Sequence, residues 1–217
     1  NDGASLAENQ NLPHFEKAAL SSVGGRRVLD VDKSTKLIVM HAFTDGNNLH
    51  FERDTCGIPT FFEWIRLTLG IAETDPSSTY VFRVHPSAHR AYKKDPEIVR
   101  SLFSKPPKNV VVEDPWTGNV TSLWPKSPVV VTSRGSVALE AALLGIRPVV
   151  LGEAVCPQDC VWRMGNRDMY RSALVGGERY DYLLSDAEIA TARAWKAQIN
   201  SALLQCLPAS TTPWGMA

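Results

Sequence analysis

Residues 129–153 read VVVTSRGSVALEAALLGIRPVVLGE. A β-branched run, Val129 to Val131, stops at Thr132-Ser133-Arg134-Gly135-Ser136. An Ala/Leu-rich stretch with a single glutamate, Glu140, follows, and after Gly145-Ile146-Arg147-Pro148 the chain returns to an apolar run. Short β-branched runs read as strands, and Ser136 to Leu144 has helical spacing. Gly145 fits a helix C-cap, and Pro148 stands where a helix cannot continue. Strand, helix and strand in this order is the unit that parallel sheets repeat.

The same alternation extends outward from this stretch. Leu37 to Met40, Tyr80 to Val84, Val110 to Val112 and Pro148 to Leu151 are further strand-length runs. Thr60 to Ala72, Pro96 to Phe103 and a short segment near Gly118 to Trp124 have helical spacing between them. Near-continuous apolar strands alternating with helices indicate a parallel sheet covered on both faces, the doubly wound α/β class. A polar stretch, Arg163 to Arg171, comes next. A C-terminal helix over Ser185 to Leu204 then begins with Ser185 and Glu188 in capping-box spacing. Residues 1–35 are polar and rich in Gly and Ser, with one amphipathic piece around Phe15 to Leu20. They read as a linker or lead-in helix, and residues 36–217 as one domain.

Composition excludes some partners. At 217 residues and 44% hydrophobic, the chain can bury a substantial core. Lys+Arg and Asp+Glu number 23 each, so no basic excess recommends a nucleic acid as partner. No stretch reaches the roughly 18 to 20 apolar residues that cross a bilayer, and NDGASLAENQNLPHFEK lacks a basic-then-apolar signal pattern. A cytoplasmic setting is the expectation. Because the chain does not begin with Met, it reads as a piece of something longer. Of the four cysteines, Cys56, Cys156, Cys160 and Cys206, only Cys156 and Cys160 are close. Their C-x3-C spacing matches neither a zinc ribbon nor a redox motif, so all four read as reduced, structural thiols.

In a doubly wound sheet the loops leaving the carboxyl ends of the strands line the ligand crevice. Here those loops hold His41 to His50, His85 to His89, Glu113 to Trp116 and Thr132 to Ser136, and four of the five histidines lie in or beside the first two. Thr132 to Ser136 joins a strand to a helix start, where unpaired N–H groups and the helix dipole favour an anion. Gly135 lets the backbone approach closely, and Ser133 and Ser136 offer hydroxyls. The alternative is that one serine simply caps the helix. His85-Pro86 fixes the direction in which an imidazole leaves the sheet, where it can donate to a phosphate or act as a general acid. His41 and Asp45 suit an oriented base, a ligand-binding pair or a structural hydrogen bond. The histidine spacings match no zinc signature, and the chain has no Walker P-loop, G-x-G-x-x-G or G-x-S-x-G motif.

Glu140 follows Ser136 by four residues, so the two share a helical face with the carboxylate roughly 6 Å farther along. A helix whose start holds a phosphate would bring that carboxylate to the neighbouring ribose hydroxyls. A surface glutamate is the plainer reading, and the apolar residues from Ala141 to Leu144 speak against free exposure.

Three motifs, taken in order, resemble those of bacterial capsule and surface-polysaccharide glycosyltransferases. His41-Ala-Phe-Thr-Asp45, with His50 and Phe61-Phe-Glu-Trp64, is similar to an H-x-F-[ST]-D…H…[FY]-x-x-W opening. Phe82-Arg-Val-His85-Pro86 is similar to a K-x-H-P strand end, with Arg83 in place of lysine. Thr132 to Glu140, with Gly145-Ile-Arg-Pro148 and Gly152-Glu153, is similar to T-x-R-G-[ST]-x-x-x-E…G-x-P…G-E. The resemblance spans about residues 36 to 175. It implies the C-terminal, Rossmann-like donor domain of a GT-B glycosyltransferase that moves a sugar from a nucleotide to a glycan acceptor. Its acceptor-binding N-terminal domain would lie outside this chain. On matched positions, Ser133, Arg134, Gly135, Ser136 and Glu140 are implied to bind the donor, and His41, Asp45 and His85 to face the reacting centre. A cytidine nucleotide is the first expectation and a uridine nucleotide the second. The resemblance implies no bound metal or other cofactor, and places the full-length protein in the cytoplasm, with peripheral association at the inner membrane face compatible with it. A sugar-nucleotide 2-epimerase of the same fold and a non-catalytic nucleotide-binding module are the competing expectations.

Overall fold

The computed structural model describes residues 30–43, 56–84, 94–113, 128–176 and 179–206. Asp45, His50, His85, His89, Trp116 and Trp124, the amphipathic piece around Phe15 and the helix expected near Gly118 lie outside them.

Among the described residues six strands form one sheet: β1 (Asp32–Val39), β2 (Thr79–Arg83), β3 (Val110–Glu113), β4 (Pro128–Thr132), β5 (Val149–Val150) and β6 (Trp162–Arg163). Their order is β3-β2-β1-β4-β5-β6, and every pairing is parallel. This is the Rossmann order, in which the chain moves outward from the centre first one way and then the other. All five residues of β4 are buried. Successive side chains of a strand point to opposite faces, so both faces of the sheet are covered at β4. The doubly wound α/β architecture is therefore the one that the alternating apolar runs imply.

β1 begins inside the stretch expected as lead-in, because its first half is held by polar contacts rather than by a core. Asp32 accepts hydrogen bonds from Ser34 N–H at 2.9 Å and Thr35 Oγ1 at 2.7 Å. The register with β4 slips between Asp32 and Lys36, after which Leu37 to Val39 run buried through the sheet centre.

Among the described residues five α-helices accompany the strands: α1 (Phe61–Thr74), α2 (Asp95–Leu102), α3 (Val137–Leu143), α4 (Arg167–Val175) and α5 (Asp186–Cys206). Thr60 caps α1 by accepting from the Glu63 N–H. The α3 terminus closes as a Schellman motif: Gly145, at φ +89°, donates to Ala142 O, and Ile146 donates to Ala141 O. The glycine is needed there for its positive φ, as the sequence pattern implied. The main apolar core gathers Leu37, Ile38, Trp64, Phe82 and Val130 with Tyr170 of α4. A second core joins Ala138, Leu139 and Ala142 of α3 to Ile189 and Ala192 of α5.

Among the described residues, β6, α4 and a three-residue 3-10 helix, Gln158–Cys160, were not expected. β6 has two residues, too few for any periodicity to register. α4 falls in the stretch read as polar, although Asn166 caps it by accepting from the Met169 N–H and Tyr170, Ala173 and Leu174 form its buried stripe.

Candidate functional site

The strand order reverses between β1 and β4, so the crevice of this fold opens at their carboxyl ends. His41 leaves β1 there and Ser133 to Ser136 leave β4. The described residues of the two segments touch. His41 Nε2 lies 2.7 Å from the Arg134 carbonyl oxygen, and Thr132 Oγ1 donates to the same oxygen at 2.8 Å. A carbonyl only accepts, so His41 carries a proton on Nε2.

Gly135 lies directly against this histidine. Its φ is +100°, and a Cβ at this position would meet His41 Cε1 at 3.0 Å and Nε2 at 3.3 Å. The turn is also tied to the β5 end: Gly152 N–H donates to Ser133 O at 2.8 Å, and Gly135 bridges to Ala154. Gly152 thus reaches the same turn directly, and Ala154 beyond Glu153 pairs with Gly135.

Neither serine caps α3. Ser136 has helical backbone angles and makes no capping bond; its hydroxyl instead donates to Glu140 Oε1 at 3.2 Å. Glu140 is 7% exposed, in the first turn of α3. The face shared by Ser136 and Glu140 and the shielding of the carboxylate agree with the four-residue spacing and the apolar neighbours. Ser133 is fully buried, and its hydroxyl has no hydrogen-bond partner among the described residues. An unpaired buried hydroxyl is costly and calls for a reason.

Of the expected site residues, His41, Ser133, Arg134, Gly135, Ser136 and Glu140 fall on this turn and its two neighbours. Asp45 and His85 are outside the described residues, so their placement is unassigned. Three residues near these strand ends were not singled out for the site by the sequence. Asp95, the first residue of α2, is fully buried, and its Oδ2 accepts the Phe43 N–H at 2.6 Å. An acidic residue just ahead of Pro96 is a helix-start signal, which hides any further role. Arg83, at the end of β2, donates from Nε to Glu113 Oε2 at 2.7 Å and from its Nη2 to the same oxygen. Phe43 packs edge-on against Phe61, with ring centroids 5.0 Å apart.

Among the described residues no group of three or more His, Cys, Asp or Glu is arranged to hold a metal ion. No described helix is long and apolar enough to cross a membrane. Cys56, Cys156 and Cys160 are free thiols, and burial pushes Cys56 up to about 11 and Cys156 up to about 12. Both are thiols rather than nucleophilic thiolates at neutral pH.

The fold and site together define a doubly wound α/β domain whose crevice, at the β1/β4 reversal, is bordered by a histidine, a glycine turn and a buried glutamate. No protein-family model matches the chain, and no curated protein matches it. Among solved structures, the UDP-GlcNAc 2-epimerase of Methanocaldococcus jannaschii, crystallised with UDP-GlcNAc and UDP, is similar at 14% identity and a TM-score of 0.41. The match covers 89% of this chain and 50% of that one, so the chain spans half the length of the enzyme. The likeness is too distant to carry an argument about ligand or reaction, and the fold rests on strand order and register.

Proposed function

We propose that the crevice binds a nucleotide-sugar and that the chain is the donor domain of a surface-polysaccharide glycosyltransferase. The observation that carries the reading is the pairing of Ser136 with a buried Glu140, one helical turn beyond a glycine turn that opens on the strand-order reversal. A carboxylate offers about four lone-pair positions. In this reading Ser136 takes one and the vicinal hydroxyls of a ribose take others. The buried Ser133 hydroxyl, without a hydrogen-bond partner among the described residues, and the Gly135 turn supply donors and close approach for the phosphates.

His41 then faces the phosphates, or the oxygen that leaves with them. Fixed donors at a leaving phosphate stabilise charge as the sugar bond breaks, by about 3 to 4 kcal/mol per donor in comparable sites. Asp45 and His85 are proposed to complete the reacting side on the strength of the motif resemblance. Pyrimidine nucleotides are the proposed ligands, cytidine before uridine. The glycan acceptor and its domain belong to the part of the enzyme beyond this chain, and peripheral attachment to the inner membrane face belongs to the full-length enzyme.

An epimerase on this fold would share the helix and its glutamate, and reaction chemistry separates the two. The full-length enzyme incubated with nucleotide-sugar and no acceptor is expected to leave the sugar unchanged, and to release nucleotide only when acceptor is added. Conversion of the sugar to its 2-epimer without acceptor would replace the transferase reading. Ligand binding without either reaction would make the domain a binding module.

A further inference from the structure

We propose that Asp95 is a positioning residue for His41. The inference rests on the reading of His41 as part of the site, and its geometry is independent of which ligand binds there. The segment carrying His41 is held at both ends. At its start Met40 N–H donates to Arg83 O at 2.9 Å. At its end Phe43 N–H donates to Asp95 Oδ2 at 2.6 Å, a distance short enough for a charge-assisted bond. Ala42, between them, is 1% exposed, and Phe43 is packed by Phe61 and Phe62.

With residues 40 and 43 fixed, the backbone of residue 41 has little freedom. The imidazole is delivered to the Arg134 carbonyl, and its tautomer is set by that contact. Asp95 supplies this restraint from α2, 52 residues away in sequence and fully buried at the helix start. Removing its acceptor oxygens takes away the 2.6 Å bond to the Phe43 N–H, and the segment loses that restraint. A carboxylate that served only α2 would have no effect on a ring just beyond the end of β1.

The test is nuclear magnetic resonance of the full chain, without nucleotide, at about pH 8, above the ordinary histidine pKa of about 6.5. Two-bond proton–nitrogen couplings read the tautomer of His41, assigned with His41→Gln. Wild type is expected to show one tautomer, protonated on Nε2, and a Phe43 amide protected from exchange by about 10- to 100-fold, as a bond of this class implies. Asp95→Ala is expected to give a tautomer mixture and to lose that protection. Asp95→Asn keeps an acceptor oxygen and is expected to restore the single tautomer. An unchanged His41 spectrum in a folded Asp95→Ala protein would overturn the proposal. If that variant does not fold, an unprotected Phe43 amide in wild type, or mixed tautomers in Asp95→Asn, would overturn it equally. Nucleotide added to the same wild-type sample tests the ligand reading separately, so either idea can fail while the other stands.

Discussion

Gly135 is the residue at which backbone geometry and the candidate chemistry meet. Its φ of +100° lies where L side chains are strained, and the space a Cβ would need is filled by His41. Gly135→Ala is expected to lower stability by about 1 to 3 kcal/mol from backbone strain. It is also expected to displace His41 from the Arg134 carbonyl, which differential scanning calorimetry and the His41 tautomer measurement would read separately. A native-like His41 signal in that variant would show that the glycine serves the turn alone. Glu140 was legible in the sequence, since a four-residue offset from Ser136 and apolar neighbours fix its face and its burial. Asp95 was not, because its partner is a main-chain N–H, and no side-chain pattern encodes which buried amide a distant carboxylate will meet.

At the level of elements, α1 and α4 are joined by a buried polar cluster. Trp64 Nε1 donates to Tyr170 Oη at 2.9 Å, and Thr68 Oγ1 lies 2.7 Å from the same oxygen. Tyr170→Phe takes that oxygen from the Trp64 indole N–H inside the core, while Thr68 Oγ1 keeps its bond to the Trp64 carbonyl at 2.8 Å. A loss of about 1 to 3 kcal/mol is expected in urea unfolding. A loss under about 0.5 kcal/mol would mean that water or rearrangement replaces the hydroxyl.

The start of α5 carries the capping box that the sequence announced, with Ser185 N–H donating to Glu188 Oε2 at 2.8 Å and Glu188 N–H to Ser185 Oγ at 3.3 Å. Glu188 also pairs with Arg147, which lies over the Trp162 ring. Burial pushes the Glu188 carboxyl up, but the bonds from Ser185 and Arg147 outweigh it and hold the carboxyl below its ordinary value of 4.5. A depressed folded-state pKa contributes stability above that ordinary value, and the contribution is lost as pH falls through the folded-state value. Glu188→Gln should therefore flatten the acid side of the stability profile, while an unchanged slope would assign the acid response to other carboxylates. Ser185→Ala should cost about 0.5 to 2 kcal/mol at neutral pH. α4 has comparable signals, an asparagine cap and an apolar stripe, but its charged residues mask them. β6 exists because β5 offers it an edge, a tertiary fact that two residues cannot announce.

For the whole molecule, the sheet class was legible because parallel strands buried on both faces need continuous apolar runs, and β1, β2, β4 and β5 supply them. The strand order was not, since an alternation of strands and helices is compatible with several windings. The order found here places the crevice between β1 and β4, where His41 and the Thr132 to Ser136 turn lie in contact. The proposed function stands on this crevice taking a nucleotide through Glu140. Calorimetric titration of the chain with CMP, CDP, UMP, UDP and GDP at fixed salt, repeated on Glu140→Ala, tests it most directly. Binding is expected to favour a pyrimidine nucleotide and to weaken in Glu140→Ala by about 1.5 to 3 kcal/mol, the range for hydrogen bonds to a charged group. Equal affinity in the two proteins, or no binding by any of the five, would contradict it.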